Sequence, residues 1–534
     1  MAGQVKKQNF LEGAAVLAIA TAVVKLIGAF YKIPLKMIIG DKGYGYFITA
    51  YDIYAMLLMV STAGLPVAMS RMISQANALN NHNQVRQVYK TALGIFLGLG
   101  SIGTLLMMGL SGTLAQFQKQ PDAAAAIFWL GPCALLMGIV SAFRGFFQGQ
   151  EDMRPTSVSQ VLEAFFKLVV GLALAFVFMK MWGDVSYAAA GAIIGVTVSC
   201  VVSVGYLYKK FAPAYRSLPA CEEAPLSWKE TAKGLLAIAV PITIGSAGLQ
   251  MLTLVEQNLY MGQLLTAGGH SQDAADTMKG IYSMTMTIFN MPCAFIIPIT
   301  VSVIPAITAA LTRKEGQVVK ETEESAARVA GLICLPCSAG LFVLARPVMA
   351  LLGGYEGEKL DLAASLMAVL GLCIFFYGVI QYTNSLLQAH GYAKVPVIHM
   401  LVCGVVKLLV VYLLVGNPNI GILGAPLGAL LCYIAIGVLN LLAIGRLVPE
   451  KPQLLRNLTR AAIPAVVMGL GVFGAYRGLI CLLGADTSAV ILCGLPIVVG
   501  VILYCIMAVV CKAITAQDCK LLPKGEKIAK LLRL

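Results

Sequence analysis

The chain has 534 residues, of which 59% are hydrophobic and 12% charged, with a formal net charge of +14. Soluble domains carry about 25% charged residues, so a surface this poor in charge excludes a soluble globular protein, and a mean hydropathy of +0.83 fits a chain that lives in lipid. The basic excess would suit nucleic acid, but Lys and Arg collect in alternate loops between apolar runs, which is the positive-inside pattern of a membrane protein and excludes a nucleic-acid partner.

A spanning helix needs about 20 mostly apolar residues, and such runs recur almost from end to end. In chain order the expected spans are 10–38, 46–75, 89–115, 123–148, 156–181, 186–209, 234–262, 280–311, 325–352, 361–389, 395–416, 421–447, 458–483 and 488–513. The fold class is therefore an all-α polytopic membrane protein of about fourteen transmembrane helices. The basic loops hold, among others, Lys6, Lys7, Arg71, Arg86, Arg154, Lys209, Lys210, Arg313, Lys314, Arg456 and the tail from Lys512 to Arg533. The opposite loops hold, as cations, only Lys42, Lys119, Lys180, Lys279 and Lys359, and Asp273, Asp276, Glu356, Glu358 and Asp361 sit in two of these outer loops without a recognisable pattern. Both termini are then expected in the cytoplasm, in agreement with an even helix count.

Lys6 and Lys7 before an apolar run resemble a secretory leader, but the run is too long for one and is expected to be retained as helix 1. On it Lys25, Lys32 and Lys36 are spaced i, i+7 and i+11, which puts them on one face with Gly28. Such a track suits a transported anion such as a pyrophosphate headgroup; the alternative is that Lys32 and Lys36 snorkel to the outer interface. Gly28 is expected to let another group approach closely. In helix 2, Asp52 stands beside Tyr51 and Tyr54, a partner for Lys25 or Lys32. In helix 5, Glu163 and Lys167 are i and i+4 in the favourable order and are expected to neutralise each other or to serve the cargo. Glu256 lies deep in helix 7 beside Gln257 and Asn258 and is the expected site of proton or cation coupling, against a hydrogen-bonded structural carboxyl. A charge at the bilayer centre costs roughly 2.5–3.5 kcal/mol, so most of these groups, with Lys407 in helix 11, are expected to face the bundle interior.

The chain repeats itself. QGQEDMRPTSVSQVLEAFFKLVV at 148–170 aligns without a gap on QAHGYAKVPVIHMLVCGVVKLLV at 388–410, so that Gln148 falls on Gln388, Arg154 on Lys394 and Lys167 on Lys407, at an offset of 240 residues. Lys407 has Cys403 where Glu163 would be, which favours a cavity-lining role for it. Pro66 falls on Pro305 at nearly the same offset. Six helices separate the copies, so both halves share one orientation, with the cargo site expected between them. The expected organisation is a first lobe at 1–209 (helices 1–6), a cytoplasmic linker at 210–233, a second lobe at 234–447 (helices 7–12), an added pair at 448–513 and a basic cytoplasmic tail at 514–534. Pro66, Pro241, Pro292, Pro298, Pro305 and Pro336 fall inside expected spans and mark bends.

The cysteines lie mostly in spans, and the C-x-x-C of Cys334 and Cys337 sits in an apolar helix, where small packing residues are the expected reading. His82, His270, His390 and His399 show no ligand spacing. No phosphate-binding loop or nucleophile motif marks an ATPase or another enzyme, so no catalytic residue and no metal site is assigned.

FRGFFQGQEDMRPTSVSQVLEAFFKL (143–168) resembles the Arg-Gly-x-x-Gln-Gly-x-x-x-Met-x-Pro-x-x-x-Ser-Gln-x-x-Glu signature of the stage V sporulation protein B group, and so do 25–47 and 61–79. That group belongs to the multidrug/oligosaccharidyl-lipid/polysaccharide (MOP) exporter superfamily, beside the MurJ-type lipid II flippases. The resemblance implies two six-helix lobes in a V, working by alternating access without ATP. The cargo would be an undecaprenyl-pyrophosphate-linked saccharide moved to the outer leaflet of a bacterial cytoplasmic membrane. It implies that helix 1 cations, matched here by Lys25 and Lys32, contact the pyrophosphate. Lys36, Asp52, Arg144, Lys167 and Lys407 complete the expected binding set, and Glu163 joins Glu256 as an expected coupling carboxylate. The MurJ-type pattern has an Arg in helix 8, whereas 282–292 has none. Partners expected are the lipid-linked saccharide, membrane lipids and envelope-synthesis proteins; no cofactor is expected beyond a coupling ion, H+ or Na+, or the membrane potential. The rivals are an ion-coupled multidrug exporter, whose cavity would be more acidic and aromatic, a membrane-embedded glycosyltransferase or polymerase, and a non-transporting component of envelope or spore assembly.

Overall fold

The computed structural model describes residues 10–513 except 63, 220, 450, 485 and 486. Lys6, Lys7 and the basic tail at 514–534 lie outside the described residues, as do the side chains of Pro298 and Pro305. All regular structure among the described residues is helical: α1 (Phe10–Thr62), α2 (Leu65–Ala78), α3 (His82–Gly109), α4 (Ser111–Phe117), α5 (Ala124–Gly149), α6 (Arg154–Trp182), α7 (Val185–Arg216), α8 (Trp228–Leu265), α9 (Gln272–Thr312), α10 (Gly316–Val343), α11 (Ala345–Gly353), α12 (Gly357–Ala389), α13 (Lys394–Val415), α14 (Gly424–Leu447), α15 (Leu454–Leu458), α16 (Ala462–Leu483) and α17 (Ala489–Val510). Eleven stretches among the described residues are long and apolar enough to cross a membrane. The two limbs of α1 and the 41-residue α9 complete the expected fourteen.

Helices 1 and 2 are joined by one residue. Gly40 has φ +68° and ψ −176°, a conformation that glycine adopts without a Cβ penalty, and the helix restarts directly after it. The second limb stops at Thr62 rather than running to 75, and α2 follows as a separate helix. Pro66 is in the first turn of α2, where its missing N–H costs nothing, so it caps a helix instead of bending a span.

The repeat is visible in element boundaries. The ends of α5 and α12, at Gly149 and Ala389, and the starts of α6 and α13, at Arg154 and Lys394, keep the spacing of the aligned sequences. α3 and α10 both have 28 residues, and each is followed after one residue by a short helix, α4 or α11.

The chain forms two compact units. The first runs to Leu265 and takes in His270–Gly280; the second holds Thr266–Gly269 and continues from Ile281. α8, expected to open the second lobe, therefore belongs to the first unit. It packs on α1, α2 and α3, and Gly64 makes one contact close: a Cβ there would collide with the backbone carbonyl of Ala239. The connector between α7 and α8 is also tied to the first unit. Asn83 Nδ2 donates to the carbonyls of Cys221 (2.6 Å) and Glu223 (3.0 Å), Arg86 donates to the carbonyl of Leu218 (2.6 Å), and the amide of Leu226 donates to Gln84 Oε1 (2.7 Å). Asn83→Ala combined with Arg86→Ala should therefore open the connector to a glutamate-specific protease at Glu222 and Glu223 in the native protein, with the apparent melting temperature lowered by only a few degrees; cleavage no faster than in wild type would show that the strap is held by other means.

In the second unit α10 packs on α12 and α16, α13 on α14, and α16 on α17. Asn440 is fully buried and donates to Thr383 Oγ1 (3.0 Å) and Asn384 Oδ1 (2.8 Å), while its own Oδ1 accepts from His399 Nδ1 (2.8 Å). The buried Glu323 carboxylate meets His390 Nε2 at 2.6 Å. The C-terminal pair is fixed through Tyr504, whose hydroxyl donates to the carbonyl of Leu332 (2.7 Å). Cys334 is buried against Gly378, in keeping with a packing role.

Candidate functional site

In the first unit, ionisable groups gather where α1, α6, α8 and the start of α9 meet. They begin on the two limbs of α1. Lys25 is exposed, Lys32 is half-buried and Lys36 is buried, with Lys36 Nζ 3.3 Å from Asp41 Oδ1 across the Gly40 joint. The three lysines share a helix face but not a surrounding: Lys36 is engaged in an ion pair, and Lys32 lies within the electrostatic influence of Asp52 and Lys167. Among the described residues a Cβ on Gly28 would meet nothing within 4 Å, so none of them makes the close approach expected there.

An aromatic ladder runs along the second limb and is met by Tyr31 from the first. Tyr31 packs edge-on against Phe47 (5.9 Å between centroids), Phe47 stacks on Tyr51 (6.0 Å), and Tyr51 meets Tyr54 edge-on (5.9 Å). Lys167 of α6 is held on this ladder. Its Nζ lies 4.6 Å from the centroid of Tyr51 and 5.6 Å from that of Tyr31, and donates to the Tyr51 hydroxyl at 3.3 Å. The negative faces of two rings hold a cation without neutralising it.

The expected Glu163–Lys167 ion pair is not the one formed. Glu163 Oε2 accepts from Arg144 Nη2 at 2.9 Å, and Arg144 Nε donates to Ser159 Oγ at 3.0 Å. A guanidinium presents several donors in a fixed plane, so one Arg from α5 satisfies two α6 side chains at once and outcompetes a single ammonium. The Arg and Glu of the sequence signature are thus each other's partners, and this clamp spends the charge of both.

Asp52 is half-buried and accepts a short hydrogen bond from Gln257 Nε2 of α8. Lys32 and Lys279 are the cations that act on it. Glu256, next to Gln257, is buried, and both it and Asp52 lie near the buried Tyr260. Lys407 lies in the second unit, half-exposed on α13 near Cys373 of α12.

Two residues of the cluster were assigned by sequence to an outer loop. α9 starts at Gln272, eight residues before the expected helix 8, and carries Asp276 and Lys279 into the core. Lys279 is fully buried. It donates to Thr49 Oγ1 (2.6 Å), Thr49 donates to Gln120 Oε1, and Gln120 Nε2 donates to Asp276 Oδ1 (3.0 Å), a ring of donors and acceptors closed by one turn of α9. Asp276 also accepts from Gln272 (3.0 Å) and from the Tyr46 hydroxyl (3.1 Å), which has Asp122 on its other side at 3.2 Å. One hydroxyl proton serves one of these two carboxylates at a time. The signal for the earlier start was present: Ser271 Oγ accepts from the amide of Ala274 at 3.3 Å, and Asp273 stands in the first turn, as N-terminal residues should. Helix 8 therefore does carry a cation, Lys279, before the segment 282–292 that lacks one.

The arrangement is an aromatic-walled cluster of ammonium and carboxylate groups inside a bundle of apolar helices. Its chemistry suits holding an anion through ammonium groups; among the described residues no three His, Cys, Asp or Glu side chains are grouped to hold a metal.

Residues 10–311 match the family model described as polysaccharide biosynthesis protein, and residues 279–413 match that of the MatE family. The chain is 26% identical over 452 residues to stage V sporulation protein B of Bacillus subtilis (strain 168), covering 83% of this chain and 85% of that one. It is 23% identical over 483 residues to the lipid II flippase MurJ of the same organism, covering 87% and 88%. A solved structure of lipid II flippase MurJ in an inward closed conformation superposes with a TM-score of 0.68 at 14% identity, covering 93% of this chain and 98% of that one. With more than half of its length matched, the chain belongs to the polysaccharide biosynthesis protein family and is a multi-pass membrane transporter of the MOP superfamily, related to the stage V sporulation protein B and MurJ groups.

Proposed function

We propose that this protein is a flippase that carries an undecaprenyl-pyrophosphate-linked saccharide from the cytoplasmic to the outer leaflet of a bacterial cytoplasmic membrane, by alternating access, with both termini in the cytoplasm. The observation that carries the reading is the convergence of Lys32, Lys167 and Lys279 on one buried cluster in the first unit. Ammonium groups cost free energy in an apolar bundle and are retained where an anion repays it. A diphosphate linked to sugar on one side and a polyprenyl chain on the other fits that chemistry, since the chain can stay in lipid while the charge is neutralised. Lys32 and Lys167 contact the diphosphate; Lys25, exposed on the same helix face, is the group met first. Glu256 takes the coupling ion, H+ or Na+, or the membrane potential drives the cycle. Glu163 and Arg144 hold α5 to α6 and contribute shape rather than charge. Enzymes that make or consume the precursor on either leaflet are the partners this role implies.

The test is complementation of a strain whose lipid II flippase can be switched off, read as lipid II exposed at the cell surface. Rescue by wild type and its loss in Lys32→Ala and Glu256→Gln, at equal expression, establishes the cargo and the cluster. No rescue by well-expressed wild type moves the cargo to another lipid-linked saccharide. The aromatic ladder with Asp52 and Glu256 supports a second reading, an ion-coupled multidrug exporter. Efflux of an aromatic cation such as ethidium, abolished by Asp52→Asn and indifferent to Lys32→Ala, would select it.

A further inference from the structure

Asp52 is the one acidic group of the cluster that sits between two of its lysines, and nothing in the transport reading gives it a task. Thr49 and Asp52 are one turn apart on the second limb of α1, so Lys279, which donates to Thr49 at 2.6 Å, stands beside the Asp52 carboxylate. From the other limb, Lys32 acts on the same carboxylate. Gln257 of α8 fixes Asp52 in place through its Nε2 donor. The Oε1 of Gln257 is buried and makes no hydrogen bond among the described residues, so the amide is oriented by Asp52 alone. Lys167, by contrast, is held by ring faces and a neutral hydroxyl and forms no direct ion pair, the nearby Glu163 being taken by Arg144.

We propose that Asp52 is a built-in counter-ion: it occupies the anion-binding position between Lys32 and Lys279 while the site is empty, gives that position up to the cargo's diphosphate, and takes it back to eject the diphosphate on the far side. This rests on the flippase reading and adds the release step to it. A cationic pocket without such a group would hold a diphosphate tightly and turn over slowly, because binding free energy common to every state of the cycle does not speed it. A carboxylate tethered a few ångströms away competes at high effective concentration and weakens the hold without removing any lysine. No covalent step is involved; the carboxylate and the diphosphate exchange places.

Asp52→Asn keeps the side-chain volume and can still accept the Gln257 hydrogen bond, so the fold should stand, and Asp52→Ser gives a second variant should the first fold poorly. With the full chain in nanodiscs, binding of a short-chain prenyl diphosphate is measured by calorimetry beside translocation in proteoliposomes. The expected result is binding tightened about tenfold, equal to ~1.4 kcal/mol, with turnover slowed. Unchanged or weaker binding in both variants, with wild-type binding still lost in Lys32→Ala, overturns the counter-ion role and leaves the flippase reading intact. Absence of diphosphate binding by folded wild type overturns both.

Discussion

Lys167→Met should weaken binding of a prenyl diphosphate, and with it translocation, by on the order of 100-fold, the scale of removing one partner from a desolvated charge pair. Lys167 is in direct contact with two ring faces and a phenol hydroxyl and forms no ion pair within the cluster, the nearby Glu163 being held by Arg144. Its charge is therefore available to cargo, whereas Lys36 is occupied by Asp41 and Arg144 by Glu163. Met fits the same space and makes a favourable sulfur contact with Tyr31 and Tyr51, so the protein should remain folded. Lys167→Arg keeps the charge and should retain part of the activity. Equal binding and transport by a folded Lys167→Met protein would remove this lysine from the site and leave it a packing group.

Lys279→Met should destabilise the protein by about 3 kcal/mol, within the range for breaking a buried charged network. The variant leaves Thr49 without its donor and Asp276 without the nearby cation, with both groups fully buried. Adding Asp276→Asn removes the stranded charge and should restore part of the loss, so the double variant should be more stable than the sum of the single changes implies. The measurement is chemical denaturation in mild detergent, followed through tryptophan fluorescence. Strict additivity would mean that Lys279 and Asp276 do not act as one unit. The two lysines separate by readout: Lys167 should move binding and spare stability, and Lys279 should move stability first.

The number of spans, their order and the internal repeat were legible because hydropathy and period act over twenty residues at a time and survive local exceptions. Lys32, Asp52, Lys167 and Glu256 were legible for the same reason, as rare charges in apolar surroundings. What failed were details set by a neighbour distant in sequence. Glu163 and Lys167 have ideal spacing for a pair, but Arg144 on α5 arrives with more donors and takes the carboxylate. Lys36 was expected on the cationic track or at the outer interface, and the single-residue turn at Gly40 pairs it with Asp41 instead. Asp276 and Lys279 were assigned to a loop because a hydropathy window scores QDAADTMK as polar, while the Ser271 cap and the first-turn Asp273 that begin a helix carry no apolar weight. Helix-end signals would have recovered them.

The repeat has a last consequence in how each copy is locked. Arg144, Ser159 and Glu163 have as counterparts at the same spacing Asn384, His399 and Cys403. The first triad is an ionic clamp, and at the second Asn384 and His399 are joined through Asn440 in a knot that needs no carboxylate or guanidinium. The two copies thus keep the same scaffold with different locks, one of fixed charge and the other of neutral polarity. At this position a neutral knot spares the second copy the cost of burying a fixed charge pair, although it keeps buried ionisable groups elsewhere, at Glu323 and His390. The difference between the copies spares the helices and falls on the few side chains that lock neighbouring helices together.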